Sequence, residues 1–104
     1  MPQFAVHRNP NAATKGLYPL LLDVQSDIIP DLGTRVVVPL RPAGSKARLI
    51  DTLMPVVSVD GKPYALITPQ LAGIPRTQLG VKVADLPQYR EAIIAALDLL
   101  VTGI

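Results

Sequence analysis

The sequence has 104 residues, with ten Lys and Arg against eight Asp and Glu, and it contains no cysteine. Its length is close to that of one common domain, so we expect a single domain over residues 1–104, and the lack of cysteine excludes disulfides and thiolate metal sites. The formal net charge of +2 comes without a cluster of basic residues and with few aromatic ones, so direct nucleic-acid binding has no support.

Short β-strands are predicted in the first part of the chain. Residues 3–8 alternate Phe4 and Val6 with polar neighbours, as a half-buried strand does. Residues 17–24 and 35–40 are apolar runs rich in residues that favour strands. Eleven prolines and seven glycines break the chain at short intervals. This regular interruption predicts a small β-barrel or sandwich.

The clearest local prediction is a β-hairpin. Residues 55–60 and 63–68 read as strands on either side of Asp60 and Gly61, which tolerate the positive φ angles of a two-residue turn. Before the hairpin, residues 41–46 read as a loop, because they contain a proline and a glycine and a proline cannot donate to a β-ladder.

The hydrophobic pattern changes to a helical period at the end of the sequence. Asp85 is predicted to cap a helix from about residue 87 to residue 101, whose first turn accepts a proline because N-terminal N–H groups have no intrahelical partner. Four positions at helical spacing form the stripe expected to pack on the sheet: Tyr89, Ile93, Leu97 and Leu100 or Val101.

The rest of the helix surface is not clearly polar. Arg90, Ile94, Asp98 and Val101 share a second stripe, so apolar groups surround much of the helix. A helix of this kind usually has more than one face covered, which favours contact of the second face with a dimer mate or a target over complete burial in the core. Asp98 is then either a solvated break in an apolar surface or part of a selective binding face.

Composition also bears on location. Hydrophobic residues make up 49% of the chain and charged residues 17%, which is apolar for a small domain and favours burial of some surface between subunits.

The N-terminal residues MPQFAVHRN lack the apolar run of a secretory signal. The longest apolar stretch, residues 92–101, contains Asp98 and is shorter than the roughly 20 residues that span a bilayer. We therefore predict a cytoplasmic protein without a membrane anchor.

Residues suited to catalysis are scarce. His7 is the only histidine, so a Cys–His dyad is impossible and one histidine remains for any triad. Asp23 and Asp27 have no enforced geometry for acid–base chemistry and are interpreted as turn and capping residues. The sequence shows no glycine loop for phosphate, no metal-ligand spacing and no nucleophile elbow. It therefore disfavours an enzyme and predicts no metal and no cofactor.

An octapeptide at residues 22–29 reads LDVQSDII and resembles the corresponding stretch of the CcdB family, the toxins of a plasmid toxin–antitoxin pair. The similarity extends over essentially the whole chain. The later blocks that match the family follow in the same order, namely Gly33, Arg35, residues 38–40, 55–57 and 83–86, and the ending Gly103 and Ile104.

This resemblance implies a fold and a set of partners. The fold is mainly β with a C-terminal α-helix, an SH3-like β-barrel of the CcdB, MazF and Kid type, and the protein forms a two-fold homodimer. The implied partners are the DNA gyrase A subunit, which the toxin traps on cleaved DNA, and a CcdA-like antitoxin, which removes the toxin from gyrase. Gyrase itself cleaves the DNA, so the resemblance implies neither a cofactor nor a reaction catalysed by the toxin.

The resemblance also implies a target-binding site. The family ends in Trp-Gly-Ile, and one tryptophan from each subunit stacks on arginines of gyrase A, but this position is Thr102 here. Such a central tryptophan commonly contributes ~2 kcal/mol or more, which corresponds to more than about tenfold in affinity. Asp98 stands where the best-known member has asparagine. The gyrase-binding residues implied in this way are Ile28, Ile29, Asp98, Val101, Thr102, Gly103 and Ile104.

Thr102 leaves three explanations: an engineered or naturally inactive toxin, a toxin for an altered gyrase, or an antitoxin-binding CcdB homologue with a different target. A separate alternative is an endoribonuclease toxin of the MazF or Kid type, which shares the barrel and needs a base, an acid and a cation around an RNA groove. His7, Asp23 and Arg35 supply these residue types.

Overall fold

The computed structural model describes residues 3–29, 33–43 and 52–103, and these residues form seven β-strands and one α-helix. The fold is therefore mainly β with a C-terminal helix, as predicted. In chain order the elements are β1 (Ala5–Arg8), β2 (Leu20–Asp23), β3 (Thr34–Pro42), β4 (Val56–Val59), β5 (Lys62–Leu66), β6 (Ala72–Pro75), β7 (Lys82–Asp85) and α1 (Arg90–Thr102). Short 3-10 turns lie at Thr68–Gln70, Arg76–Gln78 and Pro87–Tyr89.

The strands form one curled antiparallel sheet. Six of them follow the order β4-β5-β3-β2-β1-β7, and β6 pairs with β3 outside this path. β3 is nine residues long and divides one of its edges between two partners: residues 40–42 pair with β5 and residues 34–37 pair with β6. This curled half-barrel with one helix against it is an SH3-like barrel, which confirms the predicted fold.

One face of the sheet and one side of α1 enclose the hydrophobic core. Successive side chains in a strand point to opposite faces, so Leu20 and Leu22 of β2 enter the core together with Val24 just after it. Ile93 of α1 is 0% exposed, and burial of such a side chain stabilises the fold by ~1.5–3 kcal/mol. The buried cluster consists of Phe4, Val6, Leu20, Leu22, Val24, Val38, Leu40, Val57, Val59, Leu66, Leu86 and Ile93.

The predicted hairpin and N-terminal strands are confirmed. Asp60 and Gly61 have φ angles of 51° and 77°, as a two-residue type I′ turn requires. β2 begins later than residue 17, because the Tyr18 N–H donates to the Thr14 carbonyl (2.8 Å) in a preceding turn. The loop predicted at residues 41–46 is partly wrong: its first two residues belong to β3, and residues 44–46 lie outside the described part of the chain.

The prediction that Asp85 caps the helix is wrong. Asp85 is the last residue of β7, where it pairs with Ala5, and its carboxylate forms an ion pair with Lys82 Nζ at 2.7 Å. A 3-10 turn from Pro87 to Tyr89 intervenes, and α1 begins at Arg90 without a side-chain cap. The proline at the start of the turn fits the expectation, because it removes an N–H that needs no partner there.

The helix stripe is only partly as predicted. Ile93 and Ala96 are buried, and Tyr89 and Leu97 pack partly buried against the core cluster. Val101 is 81% exposed and does not pack on the sheet. The middle of α1 thus packs on the hydrophobic core, whereas Val101 in its last turn is left in solvent.

Gly80 permits a close contact that joins β1 to the segment before β7. Its N–H donates to the Arg8 carbonyl at 2.9 Å, and a Cβ on Gly80 would lie 2.6 Å from that carbonyl oxygen. We expect Gly80→Ala to lower the free energy of unfolding by about 1–3 kcal/mol, because backbone must move to relieve the overlap. The measurement is chemical denaturation.

Gly16→Ala is the matched control for this variant. Among the described residues other than Gly16 and its two chain neighbours, no atom lies within 4 Å of the position that its Cβ would take, so the free energy of unfolding should change by less than about 0.5 kcal/mol. Equal stability of the two variants would show that the contact between Gly80 and Arg8 does not constrain the fold.

Candidate functional site

The loop after β2 carries two exposed isoleucines. Ile28 and Ile29 are 92% and 46% exposed. The loop turns at Ser26, whose hydroxyl accepts the Ile28 N–H (3.2 Å) and whose carbonyl accepts the Ile29 N–H (3.4 Å). Serine favours turns because its hydroxyl bonds to nearby backbone in this way. The Ile28 side chain is therefore almost wholly available to a partner molecule.

A buried ion pair anchors the base of this loop. Asp23 at the end of β2 and Arg35 in β3 are 0% and 4% exposed. Arg35 Nε donates to Asp23 Oδ2 at 2.7 Å and Arg35 Nη2 donates to Oδ1 at 3.1 Å, the two-bond geometry of a strong charge-assisted pair. Asp23 also accepts the Gln25 N–H at 3.0 Å, as a turn residue does. The prediction that Asp23 is a turn residue is therefore correct but did not include its ion pair with Arg35.

Asp27 connects the loop to the N-terminal segment. Its two carboxylate oxygens both lie 3.0 Å from the Gln3 nitrogen and accept its N–H, and Oδ1 is 3.7 Å from Arg35 Nη2. Gln3 Nε2 in turn donates to the Val24 carbonyl at 3.2 Å. Gln3 is therefore bonded to both the first residue of the loop and Asp27.

Phe4 links the same region to the beginning of α1. Its N–H donates to the Asp23 carbonyl at 2.6 Å, and its carbonyl accepts the Leu86 N–H at 2.9 Å. Arg90, the first residue of α1, places Cζ 5.7 Å from the centre of the buried Phe4 ring. The φ angle of Phe4 is 68°, which is rare for a bulky residue, and hydrogen bonds on both sides hold it there.

The last turn of α1 carries the other residues implied by the resemblance. Val101 is 81% exposed, Leu100 is 37% exposed, and Asp98 is also exposed. Thr102 is exposed, and its hydroxyl donates to the Asp98 carbonyl at 2.6 Å. The threonine hydroxyl thus bonds back to its own helix.

Gly103 ends the helix and Ile104 lies outside the described residues. Gly103 has a φ angle of 75°, and its N–H donates to the Leu99 carbonyl at 3.0 Å. This left-handed cap favours glycine, because a Cβ is unfavourable at positive φ.

The positions that the resemblance implies for target binding lie on two separate segments. Ile28 and Ile29 belong to the loop after β2, whereas Asp98, Val101 and Thr102 belong to the last turns of α1. A single partner uses both groups only if it reaches both segments, on one subunit or across two.

The three residues considered for a nuclease are all buried. His7 and Arg35 are 3% and 4% exposed and Asp23 is 0% exposed. His7 Nδ1 lies 3.0 Å from the Gly80 carbonyl, which can only accept, so Nδ1 carries the hydrogen. The Asp23–Arg35 pair is engaged internally. In this arrangement none of the three side chains is placed to contact an RNA strand.

A groove of about 480 Å³ opens on the face of the sheet opposite the core. Leu21, Val37 and Pro39 form its apolar wall, and Tyr18 and Gln78 also line it. Among the described residues that line this groove there is neither a carboxylate nor a histidine, so it lacks the acid and base that a nuclease site needs. It contains none of the residues that the resemblance implies for target binding.

The described part of the chain contains neither a candidate metal site nor a helix that could span a membrane. Over residues 3–29, 33–43 and 52–103, no three His, Cys, Asp or Glu side chains are grouped in a way that could hold a metal ion. The helix found in these segments is too short to cross a membrane.

The sequence pattern did not single out the residues that anchor the loop. In the sequence, Arg35 is a match to the family and a candidate cation for the nuclease alternative, and residue 3 begins a predicted strand. One signal was available: a charged residue within the apolar run of β3 needs a partner if the strand is buried.

Comparison with family models gives a match to the family described as CcdB protein over residues 3–103. The match includes the exposed loop, the buried ion pair and the described part of the last turn of α1.

Proposed function

Because the chain belongs to the CcdB family of toxins from toxin–antitoxin systems, we propose that it binds the DNA gyrase A subunit and stabilises gyrase on cleaved DNA. The observation that carries this proposal is the exposure of Ile28 and Val101, at 92% and 81%. Both are positions that the resemblance to the family assigns to gyrase binding.

The proposed activity requires a complementary surface and no reacting group in the toxin. Gyrase breaks the DNA, and a ligand that binds the cleaved complex more tightly than the resealed one shifts the equilibrium toward breakage. Exposed Ile28 and Val101 supply apolar area that is removed from water on binding, at ~25 cal/mol per Å². The protein acts in this proposal as a single toxin domain in the cytoplasm and not as an enzyme.

A two-fold homodimer is part of the proposal. Leu100 and Val101 in the last turn of α1 are exposed, and Leu71, at 36% exposure, follows the 3-10 turn that contacts α1. Exposed apolar side chains on the last turn of α1 and after the 3-10 turn favour burial against a second copy. Such an interface brings two copies of Thr102 and Gly103 together and presents the two exposed loops to one target dimer.

A CcdA-like antitoxin is the proposed neutralising partner. An antitoxin that covers Ile28 or the last turn of α1 competes directly with gyrase, since both then need the same exposed apolar side chains. The alternative is a CcdB homologue that binds a partner other than gyrase. Thr102 favours this alternative, because it lacks the aromatic ring that the resemblance assigns to the contact with gyrase.

Ile28→Ser should weaken binding to the purified gyrase A subunit about tenfold and reduce the amount of gyrase-cleaved DNA. The substitution removes an exposed apolar side chain that contacts the target, and it should alter the free energy of unfolding by less than about 0.5 kcal/mol. Titration calorimetry and a DNA-cleavage assay measure the two effects.

Val81→Ser is the matched control. Val81 is 71% exposed and precedes β7, where its carbonyl accepts the Arg8 N–H at the end of β1 that lies away from the loop. Affinity for gyrase should stay within about twofold in this variant. Equal loss in both variants, or no loss in the Ile28 variant, would contradict the assignment of the loop to the target.

A further inference from the structure

We propose that Asp27 and Arg35 are positioning residues that hold the loop of residues 24–29 in the conformation that the target binds. The inference rests on the proposed function, because it assigns that loop to target binding. Neither side chain needs to contact the target for this role. Their role is to limit the conformations of Ile28 and Ile29 before binding occurs.

Arg35 distributes its donors between the sheet and the loop. Nε and Nη2 hold the Asp23 carboxylate, and Nη2 also donates to the Gln25 carbonyl at 3.3 Å. The same nitrogen lies 3.7 Å from Asp27 Oδ1. A single buried guanidinium therefore reaches the last residue of β2, the first turn of the loop and the carboxylate beside Ile28.

Gln25 closes this arrangement on the other side. Its Oε1 accepts the Val36 N–H at 3.1 Å, and its own N–H donates to Asp23 Oδ1 at 3.0 Å. The beginning of the loop is therefore fixed to both β2 and β3. Ser26 accepts the Ile28 and Ile29 N–H groups within the loop, and Asp27 just before these residues ties that turn to Arg35 and to Gln3.

Asp27 is the exposed member of the cluster and the point at which the loop can be released. Its side chain is 55% exposed, so its removal leaves the buried Asp23–Arg35 pair intact. It nevertheless removes the acceptor of the Gln3 N–H and the charge that faces Arg35. Loss of Asp27 should loosen the loop while the sheet keeps its structure.

A rigid loop matters for affinity because binding must otherwise order it. Immobilising a segment on association costs free energy, and a segment already held in its bound conformation avoids that cost. The effect on affinity is therefore expected to appear without any lost contact between Asp27 and the target.

Asp27→Ala is the test. NMR order parameters of the Ile28 and Ile29 amides should fall from the range of rigid backbone toward about 0.6 or below, and affinity for the gyrase A subunit should fall about fivefold. Neither amide donates to Asp27, so a purely local loss would change only the Gln3 amide. Asp27→Asn keeps an oxygen acceptor for the Gln3 N–H and should recover part of both effects.

Asp85→Ala provides the control. This variant also removes an exposed carboxylate from an ion pair, here the pair with Lys82 Nζ at 2.7 Å. Asp85 belongs to β7 and not to the loop. Order parameters of the loop and affinity should both be unchanged. Unchanged order parameters in the Asp27→Ala protein would overturn the inference, and so would a mobile loop with undiminished affinity. If the unsubstituted protein fails to bind gyrase A, the proposed function fails and the order parameters alone decide the positioning role.

Discussion

Replacing Thr102 by tryptophan should tighten binding to the gyrase A subunit more than tenfold. The indole would add a large apolar surface and a face for stacking on arginine, and a central tryptophan commonly contributes ~2 kcal/mol or more. The position has room for a larger side chain, because Thr102 is exposed in the last turn of α1. Gly103 still supplies the helix cap.

Thr102→Ala separates the new ring from the lost hydroxyl. This control removes the bond to the Asp98 carbonyl without adding an aromatic group, so its affinity for gyrase should stay within about threefold of the unsubstituted protein. Titration calorimetry and gyrase-mediated DNA cleavage measure the outcome. Tight binding by the tryptophan variant alone would show that Thr102 has weakened a gyrase poison. No binding by any of the three proteins would point to a different target for this scaffold.

Arg35→Leu should lower the free energy of unfolding by about 3–5 kcal/mol. The substitution leaves the Asp23 carboxylate 0% exposed without its cation, and an uncompensated buried charge is among the most destabilising changes in a protein. An effect of this size is exceptional for a single substitution. Urea denaturation followed by circular dichroism measures it.

Two controls test whether the buried charge is the cause. The Asp23→Leu, Arg35→Leu double variant removes both charges and should recover most of the loss, less about 1 kcal/mol for the Gln25 N–H that loses its acceptor. Lys82→Met breaks a half-exposed ion pair and should cost less than about 1 kcal/mol. If the double variant is as unstable as the single one, lost packing rather than unpaired charge is the cause.

Elements set by local sequence were predictable, whereas those set by tertiary pairing were not. The hairpin at Asp60 and Gly61 follows from residues that accept positive φ. β6 was missed because its sequence, AGIP, contains glycine and proline and becomes a strand only by pairing with β3. Asp85 has the residue type of a helix cap, but pairing with Ala5 places it in β7 instead.

The candidate site shows the same division. The exposed Ile28 and Val101 lie at positions that the resemblance to the family picks out. The cluster that holds the loop does not follow from spacing, because Gln3, Asp27 and Arg35 are brought together only by the fold. Periodicity cannot predict such a cluster, since it depends on which strands become neighbours and not on the pattern within any one of them.

The pairing of β1 with β7 has a consequence for synthesis of the protein on the ribosome. Ala5 pairs with Asp85, so this contact cannot form until some 80 further residues have been added, which takes about 4–16 s at ~5–20 residues per second. During that interval β1 has no neighbour on one edge, and Leu86, which bonds to Phe4, is absent. The contacts of Phe4 with Leu86 and of Ala5 with Asp85 are therefore completed only after residue 86 has been added, and the proposed target-binding surface forms only after the last turn of α1 has followed.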